Sequence, residues 1–459
     1  MSKRIKTEEE MKKKLSENHG AVFESAVSEQ EVNGLCQFLR HIWRERIFTP
    51  LVTLWTFLSQ VLEADSSCCK AVAKTLAYLA ITRGLDASHD PSAYCKARKR
   101  LPEDLLPSLT CKISQKLEAK LGEEYLWHGH RVRIVDGSSV SMWDTPENQE
   151  AYPQPEGQKP GCGFPTARIL GIFSMETGSL VDLGIDPLSV GETILFHHIR
   201  DCLQPGDILV GDRYFCSYAE IALLLKGWVH SLFRLHQRRE LDLSKAKKLG
   251  CGDYIFEWKK EVRPKWMPKE EFEALPDNLT IRVVRFKCQV RGWRAKEIWI
   301  ATTLLDPKAY PARDLVELYR RRWEVETSLD HLKDSLKMEF LVCRSPNMVR
   351  KELWAYLLAY NLIRTLMWDA GCKRGIYPLR LSFKGAVQEV IALWPFTAMV
   401  AKGRDLTSFY DALLRGIASH KVPNRPNRYE PRVRKRRPKN YRLMTKPREE
   451  YKKELLSNA

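Results

Sequence analysis

The sequence predicts a mixed α/β fold: one mixed sheet with a β-rich insertion, preceded by an N-terminal helical domain and followed by C-terminal helices. Three observations carry this. From His130 onward apolar residues alternate with period two in short runs separated by helical stretches, an order of strand, hairpin, helix, strand, helix that builds an α/β sheet rather than a sandwich. Before it, Val22 to Leu121 repeats apolar residues at spacings of three and four, the period of packed helices. After it, residues 237–294 read as strands broken by Pro and charged turns.

In chain order, residues 1–20 mix basic and acidic side chains with few large apolar ones and read as a loose start. Asp90-Pro91 and Leu101-Pro102 punctuate the N-terminal helices, and Lys96, Arg98, Lys99 and Arg100 form a basic cluster at the end of one. That cluster suits a helix C-terminus and, given the overall charge, is read as a DNA contact. The strand HRVRIVDGSSVSM is expected to end around Asp136, and GDILVGDRYF to hold a short buried strand ending at Asp212. Residues 167–185 read as two strands around a Glu176-Thr177-Gly178 turn, and the Pro- and Gly-rich segment 152–165 as an ordered loop near the site. After the insertion, YRRRWEVETSLDHLK (319–333) reads as one continuous helix. Tyr319, Arg322, Glu326 and Lys333 then fall within roughly 60° of one another at about 100° per residue. The apolar stretch after Ser345-Pro346 is a core helix or a packing surface.

The partition follows: 1–124, N-terminal helical and DNA-binding; 125–236 with 295–345, catalytic; 237–294, the β-rich insertion; 346–418, C-terminal helical; 419–459, a basic tail. From Lys421 onward 14 basic residues face 4 acidic ones, which gives +10 of the chain's net +18. Such a surplus calls for a polyanion, nucleic acid or an anionic membrane surface. A membrane partner is disfavoured, because no apolar run reaches about 18 residues and the N-terminus lacks an apolar signal core. The 12 cysteines form no C-x-x-C pair, which argues against a zinc ribbon and fits a reducing cytoplasm. His128, His130, His197 and His198 lack metal-site spacing and are read as packing or surface residues.

The chemistry rests on carboxylates. Asp136 and Asp212, each expected where a strand ends, point into the crevice that α/β sheets use for ligands. Glu326 supplies a third. Oxygen-only donors suit hard divalent cations, and two ions ~4 Å apart can activate the attacking oxygen and stabilise the leaving one in phosphodiester displacement. Alone, the charged helix face is equally an ordinary solvated one with an i,i+4 pair between Arg322 and Glu326.

With Asp136 in D-G-S, Asp212 in G-D-R-Y-F and Tyr319, Arg322, Glu326 and Lys333 in Y-x2-R-x3-E-x6-K, the chain resembles the DDE transposases of the insertion sequence four family, over roughly residues 125–370. The resemblance implies a ribonuclease-H-like fold in which Asp136, Asp212 and Glu326 are catalytic and bind two Mg²⁺ ions, with Mn²⁺ as a substitute. It implies that Tyr319, Arg322 and Lys333 contact phosphates of the transposon end. It implies cut-and-paste transposition by hydrolysis and strand transfer through a hairpin, with Trp299 or Trp323 as stacking platform for a turned-out base. The expected partners are double-stranded DNA, as terminal inverted repeats and target, and a second copy in a synaptic homodimer. The expected setting is the nucleoid of a bacterial or archaeal cytoplasm. The alternatives are a domesticated or inactive relative that only binds DNA and a structure-specific nuclease of similar fold.

Overall fold

A computed structural model of the chain describes residues 23, 26–44, 46–63, 65–85, 87–236, 244–287, 297–397, 406–423 and 443–457. The expected loose start at 1–20 and the basic run 433–442 lie outside them. The chain forms two compact units. One comprises Met1–Leu121, Thr177–Val181 and Ser328–Pro423, the other Gly122–Glu176, Asp182–Thr327 and Asn424–Ala459.

The first unit is helical. Its start signals are legible: Ser28 and Glu31 form a reciprocal capping box ahead of the helix Glu29–Phe38, and Thr49 caps Pro50–Leu62 with Pro at its first position. The apolar stretch after Ser345 forms the helix Pro346–Arg374, which ends where Gly375 adopts a left-handed conformation. Nearly all of its middle is buried, with the helices Pro50–Leu62, Leu105–Glu118 and Leu406–Ser419 packed on it. Within that core Asn361 is fully buried and satisfied: its amide nitrogen donates to the Thr110 and Leu180 carbonyls, and its oxygen accepts the Leu180 N–H. The basic cluster behaves differently from expectation at one position. Arg98 turns inward, donating to Gln60 Oε1 at 2.7 Å with its guanidinium over the Phe57 and Tyr94 rings. Only Lys96, Lys99 and Arg100 of the four are exposed. A long cation with an apolar stem can serve packing, and sequence spacing alone does not reveal the turn inward.

The second unit holds the sheet. Its strands are β1 (Val132–Met142), β2 (Thr166–Ser174), β3 (Leu180–Pro187), β4 (Ile208–Gly211), β5 (His230–Arg234), β6 (Lys247–Gly250), β7 (Asp253–Lys259), β8 (Asn278–Lys287) and β9 (Glu297–Thr302). They run in the order β3-β2-β1-β4-β5-β9-β8-β7-β6. β1 is antiparallel to β2 and parallel to β4, and β4 is parallel to β5. That inner order is the ribonuclease-H-like arrangement the resemblance implies. The β-rich segment extends the same sheet: β9 pairs antiparallel with β5, and β8, β7 and β6 follow outward in turn.

Two expectations about the site's supports are corrected. β1 does not end at Asp136; it continues six residues further, paired with β2 as far as Ser141. What ends is its parallel pairing with β4, which covers only Val132 to Ile134. The stretch 319–333 is not one continuous helix. The helix Ala312–Arg320 stops at Arg321–Arg322, where Arg322 N–H donates to the Tyr319 carbonyl and Val325 N–H to that of Arg322, the tighter 3₁₀ pattern. The helix Trp323–Asp330 follows and widens into a π turn at His331–Ser335. A constant 100° step therefore does not describe the segment, and the shared face drawn through Lys333 does not hold.

Buried ion pairs set the sheet's registers. Asp207, fully buried just before β4, takes the Arg133 guanidinium of β1 at 3.1 Å and the Gln204 N–H at 3.0 Å. Arg282 of β8 grips Asp253 of β7 with two bonds of 2.9 and 2.7 Å and donates to the Tyr310 carbonyl. Replacing one member of such a pair strands the other charge, so Arg282→Ala is expected to lower the unfolding free energy by about 3–5 kcal/mol in urea titration. Glu220, in the helix Tyr218–Lys226, is fully buried, and among the described residues neither carboxylate oxygen has a hydrogen-bond partner. Burial pushes its carboxyl from the ordinary 4.5 up to about 8, with Arg200 opposing and Glu271 reinforcing. Between those values the folded chain holds a proton that the unfolded chain lacks, so this contribution to stability is greatest below 4.5 and is lost as pH rises through 8. The stability gained by Glu220→Gln is expected to grow with pH across that window; a gain independent of pH contradicts this assignment.

Candidate active site

β1 and β4 are in parallel register with Ile134 opposite Val210, so Asp136 and Asp212 stand level, each two residues beyond the last matched pair. β4 ends at Gly211, where the packing leaves no room for a side chain: a methyl group at 211 would lie 3.1 Å from Phe215, Phe233 and Val135. Asp212 then turns the chain out of the sheet, its Oδ1 accepting the Tyr214 N–H at 2.7 Å. Asp136 Oδ1 accepts the Gly137 N–H at 2.9 Å, and its other oxygen stands 3.6 Å from Arg322 Nη1. Arg322 Nη2 donates to Glu326 Oε1 at 3.1 Å, so one guanidinium stands between a carboxylate of the sheet and one of the helix Trp323–Asp330.

The electrostatics follow from this crowding. Burial raises the Asp136 carboxyl to about 6; the Gly137 N–H and Arg322 oppose the rise, and Asp212 and Glu326 add to it. Arg322 is held above its ordinary range, burial being outweighed by Tyr319, Asp136 and Glu326. Tyr319 is buried, its phenol raised chiefly by that burial and hydrogen-bonded to Arg322.

Of the residues expected at the site, the structure brings Asp136, Asp212, Glu326, Arg322 and Tyr319 together. Lys333 lies in the π turn, in the other unit. Trp299, inside β9, stacks on Tyr254 with the Arg285 guanidinium 5.5 Å above its ring, while Trp323 is exposed ahead of Glu326. The 152–165 loop is ordered around Gln154, whose oxygen accepts the Gly161 and Gly163 N–H groups and whose nitrogen donates to the Gln158 and Lys159 carbonyls. The histidines set aside as metal ligands have other partners: His130 bridges the Gly206 carbonyl and Tyr310, and His197 packs on Trp266. The sequence reading passed over one neighbour, Glu192, whose carboxylate lies against Gly137.

The donor set suits a hard divalent cation, because every donor is a carboxylate oxygen; the raised proton affinity of Asp136 comes first from burial, with Asp212 and Glu326 adding to it. Among the described residues, however, no group of three or more His, Cys, Asp and Glu converges closely enough to hold an ion. In the free chain Arg322 is the cation seated among these carboxylates.

A family model described as the transposase DDE domain matches residues 127–362. The chain belongs to this family. The transposase is 26% identical over 364 residues to "Transposase InsG for insertion sequence element IS4" of Escherichia coli (strain K12), covering 76% of this chain and 78% of that protein. These matches bear out the resemblance read from the signature, and with it an enzyme of DNA strand cleavage and transfer. Among solved structures the transposase is similar to a cryo-EM structure of the piggyBac transposase synaptic complex with hairpin DNA, at 11% identity and a TM-score of 0.40, covering 88% of this chain and 84% of that one. Among the described residues no helix is long and apolar enough to cross a membrane.

Removing the guanidinium leaves Asp136 and Glu326 without the cation they share. The full-length Arg322→Ala transposase, free of DNA, is therefore expected to bind Mn²⁺ roughly tenfold more tightly, equivalent to about 1.4 kcal/mol. Electron paramagnetic resonance of free Mn²⁺ reads this directly. Affinity unchanged or weakened contradicts the role given to Arg322.

Proposed function

We propose that this transposase moves an insertion sequence by cut-and-paste, with Asp136, Asp212 and Glu326 as its catalytic carboxylates. The observation that carries the reading is the level pairing of Asp136 with Asp212 across parallel strands, with Glu326 tied to Asp136 through one arginine. The three carboxylates would hold two Mg²⁺ ions, which supply activation of the attacking oxygen and stabilisation of the leaving one. Water oxygen attacks the phosphorus at the transposon end, the bond to the 3′ oxygen breaks, and a 3′-hydroxyl is left. That hydroxyl next attacks the phosphorus of the opposite strand, displacing the 3′ oxygen of the flanking strand to give a hairpin; water reopens the hairpin at that phosphorus and restores the 3′-hydroxyl, which attacks target DNA and displaces a 3′ oxygen there.

The remaining residues take supporting parts. Arg322 exchanges its carboxylate partners for a DNA phosphate, which draws it away from Asp136 and Glu326 as the end arrives. Tyr319, buried and bonded to Arg322, steers the guanidinium rather than touching DNA itself. Lys333 completes the phosphate contacts. Trp299 or Trp323 receives the turned-out base. The working form is a dimer pairing two ends, and the basic C-terminal region adds sequence-independent affinity for DNA.

The purified chain with Mg²⁺ is expected to nick, close and transfer DNA carrying its own terminal inverted repeats, resolved as separate products on denaturing gels. Glu326→Ala abolishes all three while binding to the same DNA persists. Cutting that survives the substitution removes Glu326 from the chemistry, and cutting without transfer favours the nuclease reading.

A further inference from the structure

Glu192 has no part in the signature or in the centre described above. It opens the helix Glu192–Ile199, with Gly191 as the residue before it in extended conformation. Its carboxylate lies so close to the residue after Asp136 that a methyl group at 137 would sit 2.8 Å from Oε1 and 2.9 Å from Cδ. The other aspartate's segment is also near, since a methyl group at Gly191 would lie 3.5 Å from the Tyr214 hydroxyl. Glu192 is thus lodged between the two chain segments that carry Asp136 and Asp212. The placement is fixed from behind: Arg168 of β2 donates to the Val190 carbonyl at 2.6 Å, anchoring the turn that leads into the helix. Among the described residues Glu192 itself has neither hydrogen bond nor ion pair. Charge agrees with the geometry: burial raises its carboxyl first, Arg168 opposes, and Asp212 adds to the rise.

A half-buried carboxylate held by a fixed backbone against Gly137, attracted by Arg168 and repelled by Asp212, brings a further negative charge beside the aspartate pair. As packing, Gln would fill the same volume without the repulsion from Asp212. Gly137 makes sense in the same terms, because any side chain there would evict the Glu192 carboxylate. We infer that Glu192 is a fourth carboxylate of the active centre, a positioning residue that accepts hydrogen bonds from water on a divalent ion held by Asp136 and Asp212. The inference rests on the proposed role of those two aspartates. Outer-sphere partners of this kind hold a bound ion in place, and their loss weakens metal affinity by about 10–100-fold.

The test is Mn²⁺ titration of the full chain, without DNA, by electron paramagnetic resonance, for the native protein and for Glu192→Gln, Asp136→Asn and Asp212→Asn. The expected result is binding about tenfold weaker in Glu192→Gln, with near-ultraviolet circular dichroism unchanged. Gly137→Ala, which displaces the same carboxylate, is expected to weaken binding in the native background and to add little to Glu192→Gln. A Glu192→Gln curve that superimposes on the native one, flat or not, overturns the proposal. If both aspartate variants also superimpose, the centre itself is wrong; if they alone weaken binding, only the part given to Glu192 fails.

Discussion

The parallel pairing of β1 with β4 is the constraint on which the rest of the site depends. Three matched residue pairs bring Asp136 and Asp212 to the same height although 76 positions separate them in the chain. Side chains alternate along a strand, so a slip of one residue would turn one aspartate to the opposite face. The fold guards against that slip at the other end of the same strands, where buried Asp207 binds Arg133 of β1 and the Gln204 N–H leading into β4. The stabilising charge pair and the two level aspartates thus sit at opposite ends of one short parallel contact. Stability is concentrated at one end, and unbalanced charge at the other.

That imbalance gives the centre its character. Asp136 and Glu326 share one guanidinium, and Asp136 reaches about 6 because burial, with Asp212 and Glu326 adding to it, outweighs the Gly137 N–H and Arg322. A group of like charges with too little compensation is unfavourable in the free protein and becomes favourable when cations arrive. Arg322 serves as the internal stand-in. On the proposed reading, its exchange of carboxylate for phosphate would couple arrival of the DNA end to readiness for metal. The 3₁₀ tightening at Arg321–Arg322 aims that guanidinium back toward the sheet.

Much of this was legible in the sequence because its determinants are local. Period-two runs marked β1 to β5, and turn residues marked the hairpin. The site's residues were legible for another reason, a spaced signature that no single element explains. What the sequence hid was non-local. The continuation of β1 beyond Asp136 depends on β2 remaining alongside after β4 has stopped. The break at Arg321–Arg322 and the π turn at His331–Ser335 leave no Pro or Gly signal, so a uniform helix was the natural reading. Arg98 sat in a basic run yet belongs to a buried contact with Gln60, Phe57 and Tyr94. Glu192 was invisible because only the close approach of Gly137 from another strand reveals it.

The central claim is that the level aspartates bind metal and that Arg322 yields to the DNA end. A crystal structure of the transposase with Mn²⁺ and a duplex bearing its terminal repeat tests both at once through the anomalous signal of manganese. The account predicts an anomalous peak bridging Asp136 and Asp212, with the Arg322 guanidinium on a phosphate and no longer between Asp136 and Glu326. A duplex bound at the site with manganese absent from both aspartates, or with Arg322 still joined to Asp136 and Glu326, contradicts it.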